Sequence, residues 1–378
     1  MDATEAHDLG ASDAQELGWS MAVGAAYLRE LTDAGFTVDE AAGLIEFRYA
    51  ATDEQFPTIA KLRAARRLWA RVVELSEGTA SEQRQHAVTS RPMMSKYDPY
   101  VNMLRTTVAA FAAGVGGADS VTVLPFDSPL GRPETFGRRI ARNTSALLMH
   151  ESHVAKVADP GGGAFAIEKL TDGLALAGWA ELGRIEDDGG VGAGFRARVD
   201  EVVARRETEI AKRKRPITGL TEFPNLTEEL PEREPTGSAA ETVRRYGASF
   251  EALRDEPVTT PVFLATLGTV AAHTARATFA TNLFAAGGIA VEPAGATAGV
   301  AELTAAYGGQ GVVCLAGSDA TYAEWGSEAI AALREAGARH VIIAGRPESL
   351  GDSDDVDDAC ATGIDALDFL TRTREKLA

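Results

Sequence analysis

Cysteine is scarce in this 378-residue sequence, in which Cys314 and Cys360 are the two present. Two widely separated cysteines can form neither a disulfide framework nor a zinc-finger spacing, which favours a reducing cytoplasmic setting. Long apolar runs are also lacking, because none approaches the roughly 18 residues that a membrane-spanning helix needs. The N-terminus MDATEAHDLG is acidic, unlike the basic start of a signal peptide. We therefore expect a soluble cytoplasmic protein with no membrane partner.

Basic residues are outnumbered, since 37 Lys and Arg stand against 55 Asp and Glu, for a formal net charge of -18. So acidic a protein repels phosphate backbones, and nucleic acid is not an expected partner. For the basic cluster KRKR at 212–215, a solvated face is favoured over an anion site. The chain is longer than the roughly 250 to 300 residues at which single cores stop growing, so two domains are expected.

Residues 1–199 alternate helical and strand-like segments, a pattern typical of parallel α/β folds. Capping boxes at Ser12 with Gln15 and at Thr37 with Glu40 predict two helix starts. The predicted helices are 14–35, 55–75, 98–115, 133–152 and one ending near 189, and the predicted strands are 45–50, 86–91 and 120–127. These make three or four βα units, whereas a closed (β/α)8 barrel needs eight. The pattern therefore predicts a partial (β/α)8 TIM-type barrel.

Residues 200–258 are rich in charge, Pro and Gly, which predicts a linker with one or two helices. Strand and helix patterns alternate again in residues 259–378 and predict a doubly wound, flavodoxin-like domain. Its predicted strands are 261–268, 289–295, 311–318 and 339–346. Ligands of such sheets bind beyond the carboxyl ends of the strands. His273 is predicted to lie in the first loop at that edge.

Four other stretches could carry chemistry, and a structural interpretation is favoured for each. His7 stands beside an aspartate, but sequence neighbours point apart, which favours a loop or helix-entry role over acid–base chemistry. His150 and His153 share a helical face without a third ligand at a fixed spacing, so no metal site is predicted. The glycines 161–163 lack the lysine of a phosphate-binding loop and predict a tight turn. The acidic run 351–360 lacks the glycine and glutamate of a calcium loop and predicts a solvated loop.

Segments spread along the chain resemble the adenosylcobalamin-dependent methylmalonyl-CoA mutases. In family order they are GASDAQELG (10–18), RRLWARV (66–72), SKYDPYVNMLRTT (95–107), RIARNT (139–144), VADPGGGAFAIEKLT (157–171) and RPITGLTEFPN (215–225). The resemblance covers nearly the whole chain. It implies an isomerase of propionate metabolism that converts methylmalonyl-CoA to succinyl-CoA, with adenosylcobalamin in the holoenzyme. It also implies a (β/α)8 barrel, a linker wrapped around it and a C-terminal cobalamin-binding-like domain.

Some family members are heterodimers, in which a small subunit that does no chemistry pairs with a catalytic large subunit. This sequence departs from the catalytic pattern in two places, and in both it is similar to the small subunits. In the large subunit a DxHxxG motif supplies the lower cobalt ligand, and its aspartate orients the imidazole. The resemblance places His273 at the histidine, Ala271 at the aspartate and Arg276 at the glycine. It therefore implies a vestigial lower-ligand position at His273 and no cofactor bound by this chain.

The second departure lies in the barrel, where catalytic subunits carry a polar segment similar to SLHTN. This chain has SVTVLPFD instead, and we expect Val121, Val123 and Leu124 to stand where polar groups would face the substrate. No catalytic residue is therefore expected. A full small subunit would also carry about half a barrel more before residue 1. The sequence leaves open whether Met1 is a misplaced start or the truncation is real.

The resulting hypothesis is a non-catalytic small subunit that assembles with the mutase large subunit and stabilises the heterodimer. Two alternatives stay open. One is an active cobalamin-dependent acyl-CoA mutase that uses His273, and the other is a stand-alone cobalamin-binding module. Both alternatives require cobalamin binding by this chain, whereas the small-subunit hypothesis does not.

Overall fold

The computed structural model describes residues 1–79, 82–236, 242–256, 258–350 and 355–378. The chain forms two compact units. Unit 1 contains residues 1–205 and 230–246, and unit 2 contains residues 206–229 and 247–378. The segment 200–258 is therefore divided between the two units.

Unit 1 is built on an open parallel sheet in the order β1–β2–β3. The strands are β1 (Glu46–Ala51), β2 (Arg84–Thr89) and β3 (Ser120–Thr122). The helices are α1 (Thr4–Asp8), α2 (Asp13–Asp33), α3 (Val38–Leu44), α4 (Gln55–Leu75), α5 (Val101–Val115), α6 (Thr135–His150), α7 (Phe165–Asp187) and α8 (Ala193–Ala211), the last of which continues into unit 2. Both predicted capping boxes are confirmed, at the starts of α2 and α3.

The core of unit 1 lies between this sheet and its helices. Alternate residues of β1, Phe47 and Tyr49, are buried and pack with Trp69 of α4 and Met21 of α2. The rings of Phe47 and Trp69 meet edge to face with centroids 4.8 Å apart. The aromatic and aliphatic side chains of successive elements thereby share one apolar layer, as parallel α/β packing requires.

The opposite face of the sheet is polar. Arg48 Nε donates to His86 Nδ1 at 3.4 Å, and His86 Nε2 lies 2.8 Å from Thr122 Oγ1, so one side chain from each strand forms a row. Asp2 extends the row by accepting from Arg48 Nη1 at 2.8 Å, because residues 1–3 pair in parallel with the edge of β1. Charged and hydroxyl groups therefore line part of this face, which also carries the buried Ala50 and Val88.

An ion pair is buried between α2 and α4. Lys61 Nζ lies 2.7 Å from Glu16 Oε2 and 2.8 Å from Asp13 Oδ1, and the side chains of Lys61 and Glu16 are 0% exposed. Glu16 Oε1 also accepts the N–H of Ala50 in β1 at 2.8 Å. Burial works against the charged ammonium, but Asp13 and Glu16 outweigh it and raise the pKa of Lys61. The pair ties two helices to the sheet.

Unit 2 contains a five-stranded parallel sheet in the order β5–β4–β6–β7–β8. The strands are β4 (Val262–Thr266), β5 (Val291–Pro293), β6 (Val312–Ala316), β7 (His340–Ala344) and β8 (Asp358–Cys360), and the helices are α9 (Ala248–Asp255), α10 (Val270–Ala286), α11 (Val300–Ala306), α12 (Asp319–Glu335) and α13 (Ala366–Leu377). Residues 351–354 of the predicted acidic loop lie outside the described residues. The prediction of a solvated loop is wrong for residues 358–360, which form β8. The charged Asp358 is accommodated at the sheet edge because it pairs with Arg372 of α13.

Helices cover both faces of this sheet. Phe263, Val313 and Val341 face α11 and α12 in one apolar cluster. The intervening residues face α10 and α13, whose Phe284 and Phe369 rings lie 5.7 Å apart. Because both faces are covered, the central strands β4 and β6 are buried along their whole length.

Candidate functional site

His273 lies at the carboxyl end of β4, inside the first turns of α10. The prediction that it lies in a loop is wrong, because α10 begins at Val270. Gly268 adopts φ +84°, a left-handed conformation that makes the sharp turn after β4. Thr269 is extended (φ -66°, ψ 160°), as an N-cap residue must be. These two residues start the helix at Val270, three residues before His273.

The imidazole of His273 is 7% exposed, and its Nδ1 is buried without a hydrogen-bond partner in the part of the chain that the structure describes. Ligating histidines commonly donate their second ring nitrogen to a carboxylate or carbonyl. Ala271, two residues earlier, offers only a methyl group. Within the described residues, no carboxylate therefore orients the ring through its buried Nδ1.

Arg276 reaches from α10 across the ends of two strands. Its Nη1 donates to the carbonyl oxygen of Gly317 after β6 at 2.7 Å, and its Nη2 lies 2.5 Å from Asp319 Oδ1. This hydrogen bond holds the pKa of the Asp319 carboxyl below its usual value. Beyond β7, a Cβ built on Gly345 would lie 3.3 Å from Arg276 Cζ, so the guanidinium occupies the space that a side chain at Gly345 would need.

This arrangement places a fixed charged side chain where ligands of doubly wound sheets bind, beyond the carboxyl ends of the strands. Arg276 is held by a carbonyl, a carboxylate and the ring of Tyr322, 4.8 Å from its Cζ. His273 lacks the carboxylate that would orient it. The residues present at this edge therefore do not fit a corrin with a histidine lower ligand.

The apolar residues of SVTVLPFD pack against two apolar clusters of unit 1. The strand ends at Thr122, and Val123 is 8% exposed and packs with Ala110 and Ala141 of the helices. Val121 contacts the same cluster, while Leu124 packs on the main core of unit 1. Strand alternation turns Ser120 and Thr122 to the opposite face, which also carries His86.

One buried cluster was not predicted. His7, in α1, is 3% exposed, with its Nε2 2.7 Å from Ser90 Oγ and its Nδ1 3.6 Å from Glu16 Oε2. A serine, a histidine and a carboxylate thus meet, but all three are buried and Glu16 is already bound to Lys61. The cluster supports the structural interpretation of His7. The sequence holds no local signal for it, because 83 residues separate His7 from Ser90.

The glycine turn and the pair of histidines, which the sequence also offered as candidates, have structural roles among the described residues. Glycines 161–163 form a turn, closed by Arg63, which pairs with Asp159 and Glu168 on either side. His150 ends α6, and His153 precedes a short 3-10 turn. Among the described residues, no group of three His, Cys, Asp or Glu is placed to hold a metal, and no helix is long and apolar enough to cross a membrane.

Comparison with known proteins agrees with the resemblance. The family model described as methylmalonyl-CoA mutase matches residues 2–308. The chain belongs to the methylmalonyl-CoA mutase family. Over its full length it is 50% identical to the methylmalonyl-CoA mutase small subunit of Streptomyces virginiae and 38% identical to that of Propionibacterium freudenreichii subsp. shermanii. It spans 64% and 62% of those two relatives, less than two thirds of their length.

The match to other members of the mutase family is shorter. The methylmalonyl-CoA mutase of Rhizobium meliloti is 37% identical over 57% of this chain and 32% of its own length. The similarity to small subunits therefore extends over parts of the chain that the Rhizobium meliloti mutase does not match.

Proposed function

We propose that this chain is the non-catalytic small subunit of a heterodimeric, adenosylcobalamin-dependent methylmalonyl-CoA mutase. In this proposal the large subunit converts methylmalonyl-CoA to succinyl-CoA and holds the cofactor. The small subunit contributes to assembly and stability of the heterodimer. Residues 1–199 correspond to the C-terminal half of the mutase barrel, and residues 259–378 to a degenerate cobalamin-binding domain of the flavodoxin-like type, joined by the 200–258 linker.

The strand order of unit 2 supports the assignment of residues 259–378 to a flavodoxin-like domain. Numbered from β4, the order is 2-1-3-4-5, the order of flavodoxin-like folds. In that order the ligand crevice opens where the connections change direction, between β4 and β6. Arg276 begins on the helix after β4 and ends on the carbonyl after β6.

The position of Arg276 is the observation that carries the proposal. Cobalamin binding would require this side chain to leave the Gly317 carbonyl and Asp319, and the imidazole of His273 to act without a carboxylate partner. Charge-assisted hydrogen bonds are about twice as strong as neutral ones, so their loss opposes binding. We therefore expect this chain to bind no cobalamin.

A desalting experiment tests the absence of cobalamin binding. The purified chain is incubated with hydroxocobalamin and passed through a desalting column, and the visible spectrum of the protein fraction is recorded. A mutase that retains cobalamin after the same desalting step serves as the positive control. We expect no corrin absorbance with this chain. A retained corrin spectrum that disappears in the His273→Ala variant would support the alternatives, an active mutase or a cobalamin-binding module.

The partner is tested by co-expression with a mutase large subunit, followed by size-exclusion chromatography with light scattering. The proposal predicts one species with the summed mass of both chains and a higher melting temperature than either chain alone. Two separate monomer peaks, with unchanged melting temperatures, would contradict a role in assembly.

A further inference from the structure

Two residues of the basic cluster 212–215 line a cavity in unit 2. The cavity measures about 240 Å³ and lies beside α10 and the segment before α13. Lys212 and Arg213 form part of its wall, whereas Lys214, their neighbour, is exposed and does not line it. The cluster is therefore not a uniformly solvated face.

The guanidinium of Arg213 is only partly satisfied. Its Nη2 donates to Glu222 Oε1 at 2.6 Å, and the other oxygen of Glu222 accepts from Asn282 Nδ2 at 2.9 Å. Arg213 Nε is buried and has no acceptor among the described residues. A buried N–H donor without an acceptor is costly and rare, and calls for a water or a bound group. The free donor is on a side chain of the cavity wall.

The cavity wall also carries a surplus positive charge. Lys212 and Arg213 contribute two cations, and Glu222 contributes one carboxylate, whose two oxygens are already engaged. Lys212 is half-buried, and its ammonium makes no ion pair within the described ranges. The wall therefore carries one net positive charge, in a chain whose net charge is -18.

The rest of the wall is mainly apolar. Phe279 and Leu283 of α10 form one side, and Ile364 and Ala366 form the other. The cavity is smaller than the roughly 300 Å³ at which sites for drug-sized ligands begin, so it suits a ligand of a few carbon atoms. A monoanion with a short apolar tail matches both the charge and the lining.

We propose that this cavity binds a small organic carboxylate. The carboxylate oxygens accept from the Lys212 ammonium and from Arg213 Nε, whose side chain must shift slightly to expose this buried atom to the cavity. The aliphatic tail lies against Phe279 and Leu283. A guanidinium N–H is well suited to a carboxylate because the hydrogen bond is charge-assisted. The site is independent of the proposed subunit role, since none of its residues lies at the carboxyl ends of β4, β6 or β7.

Binding is tested on the full chain with acetate, butyrate and inorganic phosphate, by calorimetry and by the arginine Nε–H resonances in ¹⁵N spectra. We expect the dissociation constant to fall about fourfold for each added methylene from acetate to butyrate. Addition of butyrate should shift one arginine Nε–H signal, which is missing from the Arg213→Lys spectrum. Phosphate binding as tight as butyrate binding, with no effect of tail length, would overturn the carboxylate assignment.

Three variants separate a built site from general charge attraction. Lys212→Gln leaves the Arg213–Glu222 pair intact and should weaken butyrate binding about tenfold or more, the loss of one charge-assisted hydrogen bond. Lys214→Gln removes the same charge from the exposed neighbour and should leave binding unchanged. Ala361→Phe fills the cavity while keeping both cations and should abolish binding. Equal weakening by Lys212→Gln and Lys214→Gln, at unchanged melting temperature, would overturn the proposal.

Discussion

The guanidinium carbon of Arg276 lies 4.8 Å from the ring centroid of Tyr322. The Tyr322 hydroxyl in turn lies 2.9 Å from the carbonyl oxygens of Leu315 and Ala344, in neighbouring strands. Arg276 and Tyr322 therefore form one layer across the carboxyl ends of β6 and β7. This layer occupies the edge where a ligand of unit 2 would bind.

Replacing Arg276 by alanine should destabilise unit 2. The variant loses the hydrogen bond to Gly317 and the contact with Tyr322, which together predict a loss of about 2 kcal/mol in unfolding free energy. The ion pair with the exposed Asp319 adds little. Hydrogen exchange of the β6 amides in urea measures the change within this unit. The exposed Arg346 provides the control, and an equal effect of Arg346→Ala would contradict the prediction.

Replacing Glu16 by glutamine should destabilise unit 1. The substitution leaves Asp13 as the one carboxylate partner of the buried Lys61 ammonium among the described residues, and loss of a hydrogen bond between charged groups costs about 1.5–3 kcal/mol. Glu74→Gln is the matched control, because its pair with Arg71 is exposed and is worth less than about 1 kcal/mol. The loss of stability in both variants is measured by hydrogen exchange of the Ala50 N–H, which donates a hydrogen bond to Glu16. Similar losses in the two would count against a buried pair.

The stability of unit 1 should fall as the pH falls from about 7 to 5, in part because of His86. Burial, followed by the charge of Arg48, lowers the pKa of His86 below its usual value. In the folded state Nδ1 accepts from Arg48, so the ring must be neutral and Nε2 donates to Thr122. The unfolded chain takes up a proton at a higher pH than the folded chain does, so acid favours unfolding.

NMR titration of the His86 ring measures this pKa directly. In the Arg48→Gln variant the pKa should rise, because a positive neighbour and a donor to Nδ1 are both removed. The His86→Gln variant should show a smaller loss of stability between pH 7 and 5 than the unsubstituted chain. A His86 pKa at or above the ordinary value of about 6.5 would contradict the assigned tautomer.

Local signals in the sequence predicted most elements of both units. Ser12 and Thr37 act through the backbone N–H groups three residues away, so their capping boxes can be identified from spacing alone. The third strand was predicted to be longer than it is, because the apolar pattern continues past Thr122, where the strand ends. Val123 belongs to that pattern but packs against the helices after the chain has left the sheet. Strand β8 was missed because its charged Asp358 is stabilised by Arg372, a partner 14 residues away.

The sequence by itself indicated the parallel α/β class, the resemblance to the mutases, and the residue types at Ala271 and Arg276 from which poor cobalamin binding is expected. Each is a property of residue types at fixed spacing. Only the tertiary structure decided where the Arg276 guanidinium goes, since its acceptor Gly317 lies 41 residues away. It likewise brought Arg213 against Phe279 of α10. Packing of distant segments sets which charged groups find partners, and it leaves Arg213 Nε without an acceptor among the residues that the structure describes.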